Sequence, residues 1–178
     1  MKNILLTFLI IHCNILFSQN NWQEFSNEDV LLISISETRV YAIEDFNFDV
    51  VWDSTLSYSE NIGYYGGIKK LRILKKDILL QEINNIEDNI ALGYISFHFY
   101  DYNFDGYLDF TVPMNERWEM YFIFNPQTNT FEHREDWDYL SIQKRDFKNK
   151  RILSQPDGNY PDSQKLYQIK GIELIEIE

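Results

Sequence analysis

Apolar and polar residues alternate with a period of two along most of this chain. Segments 31–36, 46–52, 68–74, 78–83, 95–99, 107–112 and 121–124 alternate or run apolar and are rich in Ile, Phe and Tyr. Side chains on a strand point to opposite faces in turn, so this pattern predicts half-buried β-strands. Local turn chemistry joins them in pairs. LRILKKDILLQEI reads as two strands around Lys75-Lys76-Asp77, and FIFNPQTNTFEH as two strands around residues 125–129, where Pro126 favours the second turn position. LYQIKGIELIEI turns at Lys170-Gly171. Hairpins at such short spacing predict an all-β fold: an antiparallel hairpin meander forming one propeller-like or barrel-like domain. Residues 21–33 and 84–92 have room for short helical turns, and no long amphipathic helix is expected.

The first nineteen residues lie outside that pattern. Lys2 precedes an apolar run from Ile4 to Phe17, followed by Ser18-Gln19-Asn20. The run is too short to span a bilayer and no stop-transfer charges follow, so residues 1–19 are expected to be a secretory signal peptide and 20–178 a single exported domain. Cys13 lies inside the run with His12 before it, which does not fit a lipid-attachment site. The expected location is the periplasm or the exterior, with no lipid anchor and no membrane insertion after signal removal. The mature chain would contain no cysteine, hence no disulfide and no thiolate chemistry.

Charge narrows the partners. The chain carries 28 acidic and 16 basic residues, a net −12, and loss of Lys2 makes it −13. Such a balance disfavours nucleic acid and anionic membranes and favours cations and basic proteins. A hydrophobic content of 44% with 16% aromatics argues against disorder.

One segment carries specific chemistry. Residues 101–109 read DYNFDGYLD, with oxygen-bearing side chains at every second position and then a glycine. Calcium takes six to eight hard oxygen ligands on a sharply turning loop. In the EF-hand frame Asp101, Asn103 and Asp105 take positions 1, 3 and 5, and Gly106 permits the turn. Tyr107 offers its carbonyl and Asp109 takes position 9. Val112 stands where a bidentate Glu would complete the site, so a shorter loop between strands is expected, with affinity toward roughly 0.1–1 mM. Residues 45–53, DFNFDVVWD, repeat the acidic frame with Val50 in place of the glycine. A β-branched residue resists the left-handed backbone, and Phe46, Phe48, Val50 and Trp52 share one apolar face; this copy is expected to be a strand.

Around FYDYNFDGYLDF and MYFIFNPQTNTFE, continued by Asp146-Phe147-Lys148 and Arg151-Ile152-Leu153-Ser154, the chain resembles the periplasmic calcium-binding lysozyme inhibitors. These include immunity proteins against peptidoglycan-hydrolase effectors of type IV secretion systems, and related loops occur in FG-GAP repeats. The resemblance covers roughly residues 68–175 and implies a propeller-like fold, one Ca²⁺ on Asp101, Asn103, Asp105, Tyr107 and Asp109, and inhibition of a lysozyme-type hydrolase. The chain departs from the family where a Gly/Ser-rich inhibitory loop would follow the metal loop; residues 113–119 here read PMNERWE. A recognition role is expected instead for Tyr58, Tyr64 and Tyr65 in SYSENIGYYGG and for Trp118. The alternative is a calcium-stabilised structural or adhesive surface domain. No catalytic motif is present: His98 and His133 belong to no nucleophile or metal pattern, and the chain is not expected to be an enzyme.

Overall fold

The computed structural model describes residues 21–155 and 163–177. The signal-peptide reading, with Cys13, lies outside the described residues. The described residues form sixteen strands: β1 (Gln23–Glu24), β2 (Leu31–Ile35), β3 (Arg39–Ile43), β4 (Phe46–Asp53), β5 (Tyr58–Ser59), β6 (Gly63–Tyr64), β7 (Gly67–Lys75), β8 (Ile78–Glu87), β9 (Ile95–Tyr100), β10 (Asp109–Pro113), β11 (Glu119–Asn125), β12 (Thr130–His133), β13 (Ile142–Asp146), β14 (Arg151–Ser154), β15 (Lys165–Lys170) and β16 (Glu173–Ile177). All pairings are antiparallel. The first sheet has the order β3-β4-β7-β8, the central sheet β12-β11-β10-β9-β2, and the third sheet β1-β13-β14-β15-β16; β5 and β6 form a separate hairpin. The expected all-β antiparallel single domain is what forms, and it does not close into a barrel.

The hairpins form where turn chemistry placed them. Lys76 and Asp77 both take positive φ, 50° and 64°, as a tight primed turn between β7 and β8 demands. Asn129 is left-handed at φ 58°, and its N–H donates to the Asn125 carbonyl at 2.7 Å between β11 and β12. Gly171, at φ 63°, opens the β15–β16 turn. Of the two short helical turns expected, one forms. Residues 84–92 contain no helical turn, because β8 continues to Glu87 by pairing it with Gly67. Within 21–33 only Asn27–Asp29 is helical, a 3₁₀ turn whose Ser26 N–H donates to Asp29 Oδ2 at 2.8 Å.

Two cores flank the central sheet. Between it and the first sheet lie eight buried phenylalanines, among them Phe48, Phe97, Phe99 and Phe110, with Val50, Leu71 and Ile73. The second core, facing the third sheet, holds Tyr102, Phe104, Tyr121, Ile123, Trp137, Leu140, Ile152 and Ile169. β11 contributes to both, Phe122 and Phe124 to one and Tyr121 and Ile123 to the other, which is why its sequence runs apolar rather than alternating.

A buried cation helps to fasten β1, beside the Lys144–Glu24 ion pair at 2.8 Å. Arg145 is buried and lies 4.7 Å from the Phe25 ring, 4.9 Å from Tyr100 and 5.1 Å from Phe147. Its guanidinium also donates to the Tyr100 hydroxyl and pairs with Asp29 at 3.2 Å. Its two terminal nitrogens and its faces are partnered, while the buried Nε has no hydrogen-bond acceptor among the described residues.

Candidate metal centre

The loop 101–108 connects β9 to β10 and lies beside two other turns, 126–129 and 171–172. Its alternation serves two purposes. Tyr102 and Phe104 point into the second core, and Phe104 packs on Phe147 at 4.9 Å. The residues between them turn their oxygens back over the loop's own backbone. Asp101 Oδ1 accepts the Asp105 N–H at 3.0 Å, and its Oδ2 accepts the Gly106 N–H at 2.9 Å. Asn103 Oδ1 accepts the Asp105 N–H at 3.2 Å, while Asp105 Oδ1 accepts the Tyr107 N–H at 2.9 Å. The Asn103 amide donates to Asp105 Oδ2 at 2.9 Å and to the Gly171 carbonyl at 3.1 Å, tying the loop to the β15–β16 turn.

This path needs two left-handed residues. Phe104 has φ 58° and Gly106 φ 87°. A Cβ on Gly106 would meet nothing within 4 Å, so the demand for glycine there comes from the backbone alone. Phe104 is held in its conformation by burial of its ring. The copy at 45–53 behaves differently, as expected: it is strand β4, with Phe46, Phe48 and Val50 buried and Asp49 ion-paired to Arg72 across the sheet at 2.5 Å. Trp52 packs against the same core after a register shift between Val51 and Trp52.

Asp109 occupies the most enclosed position. It is 0% exposed, and its two oxygens accept the backbone N–H groups of Tyr102 and Phe124, both at 2.8 Å. It therefore fastens the start of the loop to β11, whatever else it does. Burial pushes its carboxyl well above the usual carboxylate range, partly offset by those two N–H groups and reinforced by the charges of Asp105 and Asp101. Asp101 is raised as well, first by burial and also by Asp105. Among the described residues, no Lys or Arg pairs with any of these three carboxylates. The side chains present no closed chelate: among the described residues, no group of three or more His, Cys, Asp or Glu stands ready to hold a metal. Each carboxylate oxygen still has a lone pair beyond the one given to an N–H. A groove of ≈ 390 Å³, lined by Asp105, Gln127 and Lys170, leads to the loop from solvent.

The recognition residues lie elsewhere. Tyr58 and Tyr64 are exposed, 58% and 65%, on the β5–β6 hairpin, with ring centroids 5.0 Å apart and Ile62 exposed at the turn. Tyr65 is half-buried and its N–H donates to the Ser57 carbonyl, so it belongs to the hairpin's base rather than its tip. Trp118, also half-buried, lies on the β10–β11 connection against Tyr139 at 5.7 Å, with the Arg117 guanidinium over its ring at 4.6 Å.

A polar network on the central sheet has no counterpart in the sequence motifs. His98 pairs with Thr111, and Thr111 with Tyr121, across β9, β10 and β11. Glu119 joins them: Oε1 lies 2.5 Å from His98 Nδ1, and Oε2 accepts the Thr111 hydroxyl. Burial pushes the Tyr102 and Tyr121 phenols far above their ordinary range, so both stay neutral. Alternation along β9 puts His98 on the same side as Ser96. The register that lines it up with Thr111 and Tyr121 is not local information.

The chain matches no protein-family model, and neither a curated protein nor a solved structure is significantly similar to it. Among the described residues, no helix is long and apolar enough to cross a membrane.

Proposed function

We propose that this is an exported β protein that binds calcium through residues 101–109 and acts by binding a basic protein partner, a peptidoglycan hydrolase of lysozyme type, which it inhibits as an inhibitor or immunity protein. The observation that carries the calcium reading is the loop itself. Three carboxylates and an asparagine gather on one short turn with two left-handed residues, and among the described residues no Lys or Arg is ion-paired to them. Asp101, Asn103, Asp105 and the Tyr107 carbonyl are the residues that would hold the ion. Bound there, it supplies the positive charge that the buried carboxylates lack. Asp109 contributes from behind, by fixing the loop's entry to β11. The partner reading rests on the net negative charge, the exposed Tyr58–Tyr64 pair and the family resemblance.

Calcium is expected to raise stability because the folded loop binds it and the unfolded chain barely does. With Kd near 0.1–1 mM, about 10 mM calcium adds roughly 1.4–2.7 kcal/mol. Thermal unfolding in calcium and in chelator reads this directly. Asp105→Asn abolishes the gain, whereas Asp49→Asn, on the strand copy, keeps it. Identical curves in calcium and chelator for the unaltered chain would remove the calcium proposal. Inhibition is tested separately, by assaying peptidoglycan hydrolysis by several hydrolase classes with the protein and calcium present. The expected result is inhibition of at least one basic class, weakened about tenfold by Tyr64→Ser, as for an exposed aromatic contact. No inhibition in any class removes the partner proposal and leaves the calcium result standing.

A further inference from the structure

The central sheet closes one of its edges and leaves the other open. At β12 the Gln81 side chain caps the ladder: its Nε2–H donates to the Phe131 carbonyl at 2.9 Å, and its Oε1 accepts the Phe131 N–H at 2.8 Å. At the opposite edge β2 pairs with β9 over Leu31–Ile35 without a bulge, and no described residue pairs with its outer side. Antiparallel alternation identifies the groups left over. Phe131 turns its N–H and C=O away from β11, so its partner Phe124 turns toward β10. Carried through the unbulged register of β11, β10, β9 and β2, this directs Leu31, Ile33 and Ile35 at β9 and the N–H and C=O of Leu32 and Ser34 outward. Edges are ordinarily blunted by charge, proline or a bulge. Among the described edge strands of the first, central and third sheets, β2 alone has no charged residue; β1, β3, β8, β12 and β16 carry Glu24, Arg39, Glu82, Glu132 and Glu173. Its Leu31 and Leu32 are 51% and 56% exposed.

We propose that β2 takes up an extended apolar segment of a partner protein as a further strand of the central sheet, the segment carrying Lys or Arg at its ends. The free groups of Leu32 and Ser34 supply main-chain hydrogen bonds, and the exposed leucines supply apolar contact on both faces of the added strand. Charge selects the occupant. β2 lies between Glu28 and Glu37, both exposed. Glu28 has no ion-pair partner among the described residues, and the Glu37–Arg39 pair joins two largely exposed groups at 3.6 Å, which is worth little. A second copy of this chain fits worse. Antiparallel pairing of β2 with itself about Ile33 sets Asp29 opposite Glu37, and like charges facing each other across a ladder destabilise it. Each copy also brings a net −12. The inference uses neither the calcium loop nor the hydrolase reading, and its test contains no hydrolase.

The test is titration of the mature chain with the end-blocked peptide KVTVTVK, read by calorimetry and by amide hydrogen exchange. The peptide binds, the Leu32 and Ser34 amides gain protection, and the peptide EVTVTVE binds at least tenfold more weakly. Ser34→Pro removes an outward N–H while keeping the β9 ladder, and is expected to weaken binding by about tenfold, as for a lost hydrogen bond with its acceptor left unpaired. Tyr64→Ser, on the separate hairpin, leaves binding unchanged. Two further peptides are N-methylated at alternate residues, one along each edge. Only one of them loses binding, because an added strand bonds through a single edge. That comparison leaves the protein unaltered, so it decides the matter if Ser34→Pro fails to fold. Absence of binding at about 1 mM, a very weak affinity, overturns the inference, as does equal binding of the two methylated peptides or of the acidic one. A dimer of the unliganded chain in sedimentation, dissociated by Ser34→Pro, assigns the edge to a second copy and overturns it too.

Discussion

Replacing Asp109 with alanine is expected to lower stability by about 2–4 kcal/mol, since each buried N–H left without an acceptor costs roughly 1–3 kcal/mol. The two donors concerned, from Tyr102 and Phe124, lie on different elements, and neither has another carboxylate to turn to. The loss is less than twice the single-donor figure because the variant also removes a charge that burial disfavours. Asp109→Asn keeps one acceptor and is expected to lose less. Urea unfolding in chelator and in calcium separates two roles for this residue. The cost in chelator is that of the strand tie alone; any extra cost in calcium is the ion's contribution, lost whether Asp109 ligates the ion or only positions the loop that does. A cost confined to calcium would contradict the tie seen in the hydrogen bonds.

How much of this was legible beforehand follows from which interactions are local. The turns at Lys76-Asp77, 125–129 and Gly171 depend on residues next to one another, and each formed where its sequence indicated. The contrast between the two acidic frames was equally local: Gly106 sits at φ 87°, whereas Val50 sits in a strand with its side chain buried. β13 and β14 were harder to read. β13 reads Ile-Gln-Lys-Arg-Asp, and its buried positions are Arg145 and Asp146, the reverse of the usual pattern. The rings of Phe25, Tyr100 and Phe147 and the oxygens of Asp29, Tyr100 and Glu24, far from Arg145 in sequence for the most part, make a buried arginine acceptable there.

The same distinction holds within the site. The frame Asp101, Asn103, Asp105 and Gly106 is set by spacing alone. Closure of Asp109 onto the Phe124 N–H is set by the register of β10 against β11. The row His98, Thr111, Tyr121 likewise exists only after three strands have paired. Tyr65 had the composition of a contact residue, yet its N–H bond to Ser57 commits it to the hairpin's base. Composition marked residues 57–67 as a candidate recognition segment, and backbone pairing made it a hairpin and decided which of its tyrosines face outward.

Trp137→Ala is expected to be the most destabilising single substitution, by about 3–5 kcal/mol, the range for removing a large buried aromatic. The indole is 0% exposed, 5.9 Å from the Tyr121 ring at a tilted angle, and its Nε1–H donates to the Ile172 carbonyl at 3.3 Å. It lies on the connection from β12 to β13, where the chain passes from the central to the third sheet, so it joins the two layers covalently and by packing. Trp137→Phe retains most of the apolar area and loses the hydrogen bond, for a smaller cost of about 1–2 kcal/mol. Equilibrium denaturation of both variants checks the ranking; a cost below about 1 kcal/mol for alanine would mean that the second core is loosely packed at its centre. The consequence reaches the metal loop. Tyr102 and Phe104 fix the inward side of that loop by packing in this same core, and Ile172 is the neighbour of Gly171, whose carbonyl holds Asn103. Loosening Trp137 should therefore free the loop's inner residues and weaken the proposed calcium binding even though Trp137 is not one of the proposed oxygen ligands. A Trp137→Phe variant that keeps most of the stability and the calcium response, beside an alanine variant that loses both, would tie the proposed site's affinity to the packing beneath it.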